Sequence, residues 1–355
     1  IHGWQVKKTY DINIPKATVL ELEHAKTGAR YVHIDTDNKE NVFVVAFKTV
    51  PSDNTGVAHI LEHTVLTGSE KYPIRDPFFS MIRRSLQTFM NAFTSSDWTA
   101  YPFASPNKKD FYNMMSVYLD AAFFPKIAKL SFMQEGWRHS FDGDKLKYDG
   151  VVYNEMKGSM SSVDRRLEKA IRGNIYKEAP YHFNTGGSPE NIPDLSYEEL
   201  VAFHNKFYHP SNAYFYSYGN LPLSDNLLMI NKNVLDKFEK SSELVEIQSE
   251  ERWASPKEAK AYYPATKSDI DSHQVVLSWL ACRAGDSLEV FSLELLEDIL
   301  LANAASPIRK VLLDSGLGTD LSDSCDYDSE ISDTKFSLGL KGVKEKNIKK
   351  VLADA

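Results

Sequence analysis

Two histidines four residues apart with a carboxylate between them, His59-Ile60-Leu61-Glu62-His63, ask for a helix before anything else. On a helix, positions i, i+3 and i+4 share one face. Neutral imidazole is a good Zn²⁺ ligand. With a third protein donor, the fourth tetrahedral position stays open to a water whose pKa the metal lowers. Glu62 then stands where it can take that water's proton. The plainer reading of the same pentapeptide is an amphipathic helix carrying two satisfied histidines.

Around this motif, 355 residues allow two domains of ordinary size, each with its own core. Hydrophobic residues make up 42% and charged residues 25%, the balance of a soluble globular chain. No apolar run reaches the ~18 residues of a membrane span, and no signal-peptide pattern opens the sequence. Because it opens on Ile1 rather than Met, removal of a targeting segment is compatible with the reading. Two cysteines, Cys282 and Cys325, are too few for a disulfide framework and read as inert packing residues in a reducing interior. A net charge of −8 argues against a nucleic-acid partner, which needs a concentrated basic face, and favours basic or neutral ligands.

Periodicity divides the chain further. Ala17 to Leu22, Arg30 to Ile34 and Asn41 to Phe47 read as strands, with Thr27-Gly28 as turn chemistry. Thr55-Gly56 introduces a helix from Val57 to Leu66 around the histidines, with Gly68 as its stop. Asp76 to Leu86 predicts a helix, Thr88 to Thr94 and Trp98 to Phe103 two short strands, and Asp110 to Phe124 a helix ended by Pro125. The run Tyr153 to Ile175 reads as one helix, followed by a loop marked by Pro180, Gly186, Gly187, Pro189 and Pro193. Ser196 and Glu199 predict a capping box, and Ala213 to Tyr218 a strand. A polar stretch from Ser224 to Lys267 suggests a domain boundary. The expected organisation is therefore a catalytic domain over 1–240, a linker over 241–267, and a second unit over 268–355 with strands at Gln274 to Ala281 and Lys335 to Leu340 and a helix from Ser287 to Ala302. Some ninety residues are short for a second complete domain, which suggests truncation.

The third metal donor is left open by the residues alone. Glu155, in Gly150-Val151-Val152-Tyr153-Asn154-Glu155-Met156-Lys157-Gly158, is one carboxylate among many. A resemblance narrows the choice. The order H-x-x-E-H reverses the commoner H-E-x-x-H of zinc proteases. With Thr55 to Leu66, Lys71 to Phe79, Asn91 to Asp97, Gly150 to Gly158, Tyr208 to Ala213 and Ser315 to Asp320, the chain closely resembles the pitrilysin/insulinase family of zinc metallopeptidases, in its presequence-protease and falcilysin branch. The resemblance implies one Zn²⁺ per chain on His59, His63 and Glu155, with Glu62 as general base. It implies an edge strand, Asn91-Ala92-Phe93-Thr94, that pairs with an extended peptide, Phe93 lining a specificity pocket or else lying in the strand core.

The same resemblance implies an α/β (α+β) fold, with a mixed, largely antiparallel sheet packed against helices and a homologous domain begun a second time. Full-length members have two halves enclosing a chamber, the second supplying an Arg/Tyr pair that holds the substrate. The expected partners are therefore unstructured, basic peptides such as cleaved targeting presequences, and a C-terminal half of the protein. The compartment implied is the mitochondrial matrix or another organelle interior, with bacterial cytoplasm as the alternative. The chain alone is expected to hold metal but to cleave weakly. A processing peptidase making single cuts and a non-catalytic structural or peptide-binding homologue are the rival functions. His139, His182 and His204 read as structural or exposed, and His209-Pro210-Ser211-Asn212 as a turn.

Overall fold

The computed structural model describes residues 1–243, 245–264 and 272–354. They form two compact units: residues 1–157 with 184–246, and residues 158–183 with 247–355.

In the first unit the strands are β1 (Trp4–Asn13), β2 (Lys16–His24), β3 (Arg30–Asp35) and β4 (Asn41–Lys48). The helices α1 (Val57–Val65) and α2 (Pro77–Ile82) follow, then β5 (Phe89–Met90), β6 (Phe93–Thr94) and β7 (Trp98–Ser105). After these come α3 (Lys108–Phe123), α4 (Lys129–Glu135), the hairpin β8 (Arg138–Asp142) and β9 (Lys145–Asp149), and α5 (Val151–Ser159). In chain order α6 (Val163–Ile175), which belongs to the second unit, precedes α7 (Tyr197–Phe207), β10 (Ala213–Gly219) and α8 (Leu223–Asn233).

The main sheet runs β1-β2-β3-β10-β4-β7-β5, with β6 also paired to β7. Only the β3–β10 ladder is parallel, so the sheet is mixed and largely antiparallel as expected. Alternation in β4 puts Phe43, Val45 and Phe47 on the buried face. There Phe47 meets Phe123 of α3 and Tyr208 at ring-centroid distances of 5.2 and 4.4 Å, and Phe43 meets Phe103 of β7 at 5.5 Å. Ile60, Leu61 and Val65 of α1 are fully buried as well.

The second unit holds α6, β11 (His273–Arg283), α9 (Ser287–Leu301), α10 (Pro307–Asp314), β12 (Asp320–Leu321), β13 (Tyr327–Asp328), β14 (Asp333–Val343) and α11 (Ile348–Asp354). Its sheet is β11-β14-β12 with β13 on β14, all antiparallel. Lys335 on β14 is completely buried, 3.5 Å from Glu168 and 3.3 Å from Asp326, while Arg172 pairs with Glu168 and Asp328 at 2.7 Å each. Burial opposes ionisation of Glu168, but Lys335 and Arg172 outweigh it and hold the carboxyl below its usual range. Both cysteines are free; burial pushes the Cys325 thiol up to about 11, the wrong direction for a reactive thiol.

The structure bears on several sequence expectations. The single helix over Tyr153 to Ile175 is two, α5 and α6, separated at Met160-Ser161-Ser162, where Ser161 and Ser162 donate their backbone N–H groups to Gly158 and Ser159 in tight turns. The linear division at 241–267 differs from the units found, because residues 158–183 cluster with the second; Lys267 itself lies outside the described residues. The polar stretch after Ser224 opens with α8, which buries Leu227 and Ile230 under a hydrophilic composition. The capping box at Ser196 and Glu199 is present on both sides.

Candidate metal centre

The site is assembled on α1, α5, the α4 terminus and the loop before α7. Gly56 starts α1 with a φ of +72°, a conformation that favours glycine. A Cβ there would meet Gly187 Cα at 2.7 Å and the Gly186 carbonyl oxygen at 2.8 Å. The missing side chain lets the Gly186-Gly187 loop press against the start of the helix. Its consequence is chemical: the Gly186 carbonyl accepts a hydrogen bond from His59 Nδ1 at 3.0 Å. One turn later, His63 Nδ1 lies 3.3 Å from Glu135 Oε2, at the end of α4. In a neutral ring, an Nδ1–H donated to these acceptors leaves Nε2 unprotonated, as a metal-ligating histidine requires.

Both Nε2 atoms face Glu155 on α5, at 3.8 Å for His59 and 4.0 Å for His63. One donor atom from each of the three residues lies within 4.8 Å of the other two. Bonds of about 2.0–2.1 Å in tetrahedral directions place donors about 3.4 Å apart. Glu155 stands 3.8 and 4.0 Å from the two imidazoles and all three donors lie within 4.8 Å, so a small divalent cation would draw the set together, by up to about 1 Å or a little more, to reach that spacing. The donor chemistry, two nitrogens and one oxygen, suits the same ion. Burial disfavours a charged His63, but the Glu135 hydrogen bond and the charges of Glu62, Glu135 and Glu155 outweigh it and raise its pKa. A negative pocket of this kind attracts cations. Glu155 is half exposed and both histidines are partly exposed, so the donors are open to solvent on one side.

Glu62, 8% exposed, accepts a hydrogen bond from Thr94 Oγ1 at 2.6 Å. It shares the face of α1 with the histidines, and its carboxylate is engaged by a strand hydroxyl. Of the proposed peptide-pairing segment, Phe93 and Thr94 form β6 at the sheet edge, but Asn91 and Ala92 lie between β5 and β6 rather than in a continuous strand. The reason is local. The Asn91 N–H donates to Pro102 O at 3.1 Å in register with β7, but Pro102 has no N–H to return the bond, and the Ala92 N–H turns to Asn91 Oδ1 at 2.9 Å. Phe93 is not strand core: it is 42% exposed and stacks on Phe89 at 6.3 Å.

Sequence reasoning did not find Glu135, the Gly186 carbonyl or the Thr94 hydroxyl. Glu135 sits in a helix that hydrophobic periodicity did not reveal, and a backbone carbonyl carries no sequence signal. Three further histidines make structural contacts: His204 Nε2 bonds Ala122 O at 2.9 Å, His182 Nδ1 bonds Ala179 O at 2.7 Å, and His209 Nδ1 accepts Ser211 N–H at 3.1 Å in a turn, while His139 is exposed.

The layered α/β unit gathers an inverted histidine motif and a carboxylate into a group that could hold a metal ion. Comparison with known proteins specifies it. Residues 50–142 match the family model described as insulinase (peptidase family M16), and residues 194–355 the model described as peptidase M16 inactive domain. The chain belongs to the peptidase M16, or pitrilysin/insulinase, family. It is 42% identical to the mitochondrial presequence protease of Xenopus tropicalis over 99% of its own length, and 42% identical to that of Mus musculus, also over 99%. It spans about 35% of the length of each of these relatives. Among solved structures, a protease from Helicobacter pylori superposes with a TM-score of 0.69 at 16% identity, covering 98% of this chain and 79% of that one. Pitrilysin superposes at 0.67 and 15% identity, covering 98% and 36%. Likeness at that identity bears on the fold, and the family implies a metal.

Proposed function

We propose that this chain carries the catalytic metal site of a zinc-dependent endopeptidase that degrades unstructured, basic peptides. The observation that carries the reading is the convergence of His59, His63 and Glu155 within 4.8 Å beside the carboxylate of Glu62. When bound, Zn²⁺ would polarise a peptide carbonyl and acidify a water. His59 and His63 would hold it through Nε2, and Glu155 through a carboxylate oxygen. Glu62 receives a proton at its free oxygen and returns it to the departing amine. The exposed edge of β5 and β6 offers backbone groups to an extended peptide.

The relatives' name, presequence protease, supports targeting peptides as substrates. Such peptides are rich in arginine and poor in acidic residues, which suits a net charge of −8. The same name supports a mitochondrial setting. Since those relatives are about three times as long, the working enzyme is read as the longer protein, in which a further half helps confine the peptide. The test is metal analysis together with cleavage of a fluorogenic basic peptide by the protein as the cell makes it, beside Glu62→Gln. Stoichiometric zinc and cleavage abolished by Glu62→Gln support the reading. Metal-free protein after reconstitution, or cleavage at a single site in a folded precursor, would overturn it.

A further inference from the structure

We propose that Thr94 is a positioning residue for the general base, its hydroxyl tying Glu62 to the strand on which a peptide would be laid. The proposal rests on the metallopeptidase reading and deepens it.

A glutamate has three side-chain torsions, so burial on α1 alone does not fix which carboxylate oxygen faces the metal site. Thr94 supplies the missing restraint. Its Oγ1 donates to Glu62 Oε2 at 2.6 Å, in the short range of hydrogen bonds to an ionised acceptor. With Oε2 engaged, Oε1 is the oxygen left to receive a proton. The donor is itself held firmly. Thr94 is β-branched, with few rotamers open to it, and pairs in register with Thr99 of β7, while Phe93 pairs with Ala100. Thr99 is buried and shares a 2.8 Å hydrogen bond with Thr49.

Strand alternation then divides the labour of β6. Phe93 points outward, exposed against Phe89, and Thr94 points inward to α1. The backbone that would pair with substrate and the hydroxyl that fixes the base belong to the same two residues. A peptide seated on this edge is thereby placed relative to Glu62 through one rigid element instead of through two independently moving ones. Reaction rates fall steeply with small errors in such placement.

The decisive variants are Thr94→Val, nearly isosteric without the hydroxyl, and Thr94→Ser, which restores it. In the protein as the cell makes it, Thr94→Val is expected to lower kcat about tenfold to hundredfold, with KM and zinc stoichiometry within about twofold of the parent; Thr94→Ser is expected to recover most of the loss. A readout without metal or turnover accompanies it: in metal-free protein, the Tm losses of Thr94→Val and Glu62→Ala should be non-additive in the double variant. Turnover of Thr94→Val within threefold, a rise in KM with kcat intact, failure of Ser to rescue, or additive Tm losses would each overturn the proposal. If Thr94→Val does not fold, the Ser variant and a Thr94→Ala cycle decide it by the same criteria. A His59→Ala protein that kept its zinc would instead sink the metal reading, leaving the Tm cycle to judge Thr94 separately.

Discussion

Replacing Glu135 by Gln should weaken zinc binding about tenfold without unfolding the protein. The two histidines are oriented by different means. His59 leans on the Gly186 backbone carbonyl, which no side-chain replacement removes, whereas His63 depends on the Glu135 carboxylate. Outer partners of metal-bound histidines are typically worth 10–100-fold in affinity. The Nδ1···Oε2 separation here is 3.3 Å, long for a charge-assisted bond. That places the effect at the low end, about 1.4 kcal/mol for a tenfold change. Gln keeps the volume and an acceptor but loses the charge, so a loss with Gln reports electrostatic support. A larger loss with Glu135→Ala would add the effect of a ring free to turn. Glu135 is 8% exposed and also accepts from Gln134 at 2.9 Å, so folding must be checked by circular dichroism and Tm. The assay is competition for zinc against a chromophoric chelator at fixed pH and salt. Affinities of both variants within twofold of the parent, with Tm unchanged, would refute the idea that Glu135 supports His63.

Other outcomes follow from the same geometry. His63→Ala and Glu155→Gln should each abolish stoichiometric zinc by plasma emission analysis, since two donors hold the ion poorly; retention by the His63 variant would refute the donor set. Glu62→Gln should keep its zinc yet lose peptide hydrolysis by several orders of magnitude, the combined scale of acid/base and metal-water activation, and near-normal turnover would refute its role as base. Gly56→Ala must push against the Gly186-Gly187 backbone at under 3 Å, so it should lower Tm and zinc affinity together; an unchanged Tm would show that the loop gives way freely. In the second unit, Lys335→Met should lower stability in urea unfolding at neutral pH by less than the roughly 3–5 kcal/mol of breaking a fully buried pair, because Glu168 and Asp326 are partly exposed and Glu168 keeps Arg172. Because Glu168 is held below its usual range, its contribution is present above the ordinary carboxylate pKa and lost as pH falls through the lower folded value. Asp326, pushed up chiefly by burial, works in the opposite sense. Removing the cation should therefore move the acid loss of the Glu168 contribution to higher pH, and an identical acid profile would contradict the coupling.

What the sequence determined by itself is what local spacing encodes. The strands around Val19, Val32 and Val45, the helix carrying His59, Glu62 and His63, and the capping box at Ser196 all follow from periods of 2 and 3.6 residues or from fixed offsets along the chain. Chemistry written within five consecutive residues was legible for the same reason. Glu155 was legible only through resemblance, because no local rule relates it to His63. Tertiary structure decided the rest. It alone brought Glu155 to within 4.0 Å of both imidazoles, set Glu135 and Gly186 behind them, and swung Thr94 onto Glu62. It also assigned α6 to the second unit and buried one face of the polar-looking α8. These are contacts between residues far apart in the chain, set by how sheets and helices pack, and such distances leave no periodic trace in the order of the residues.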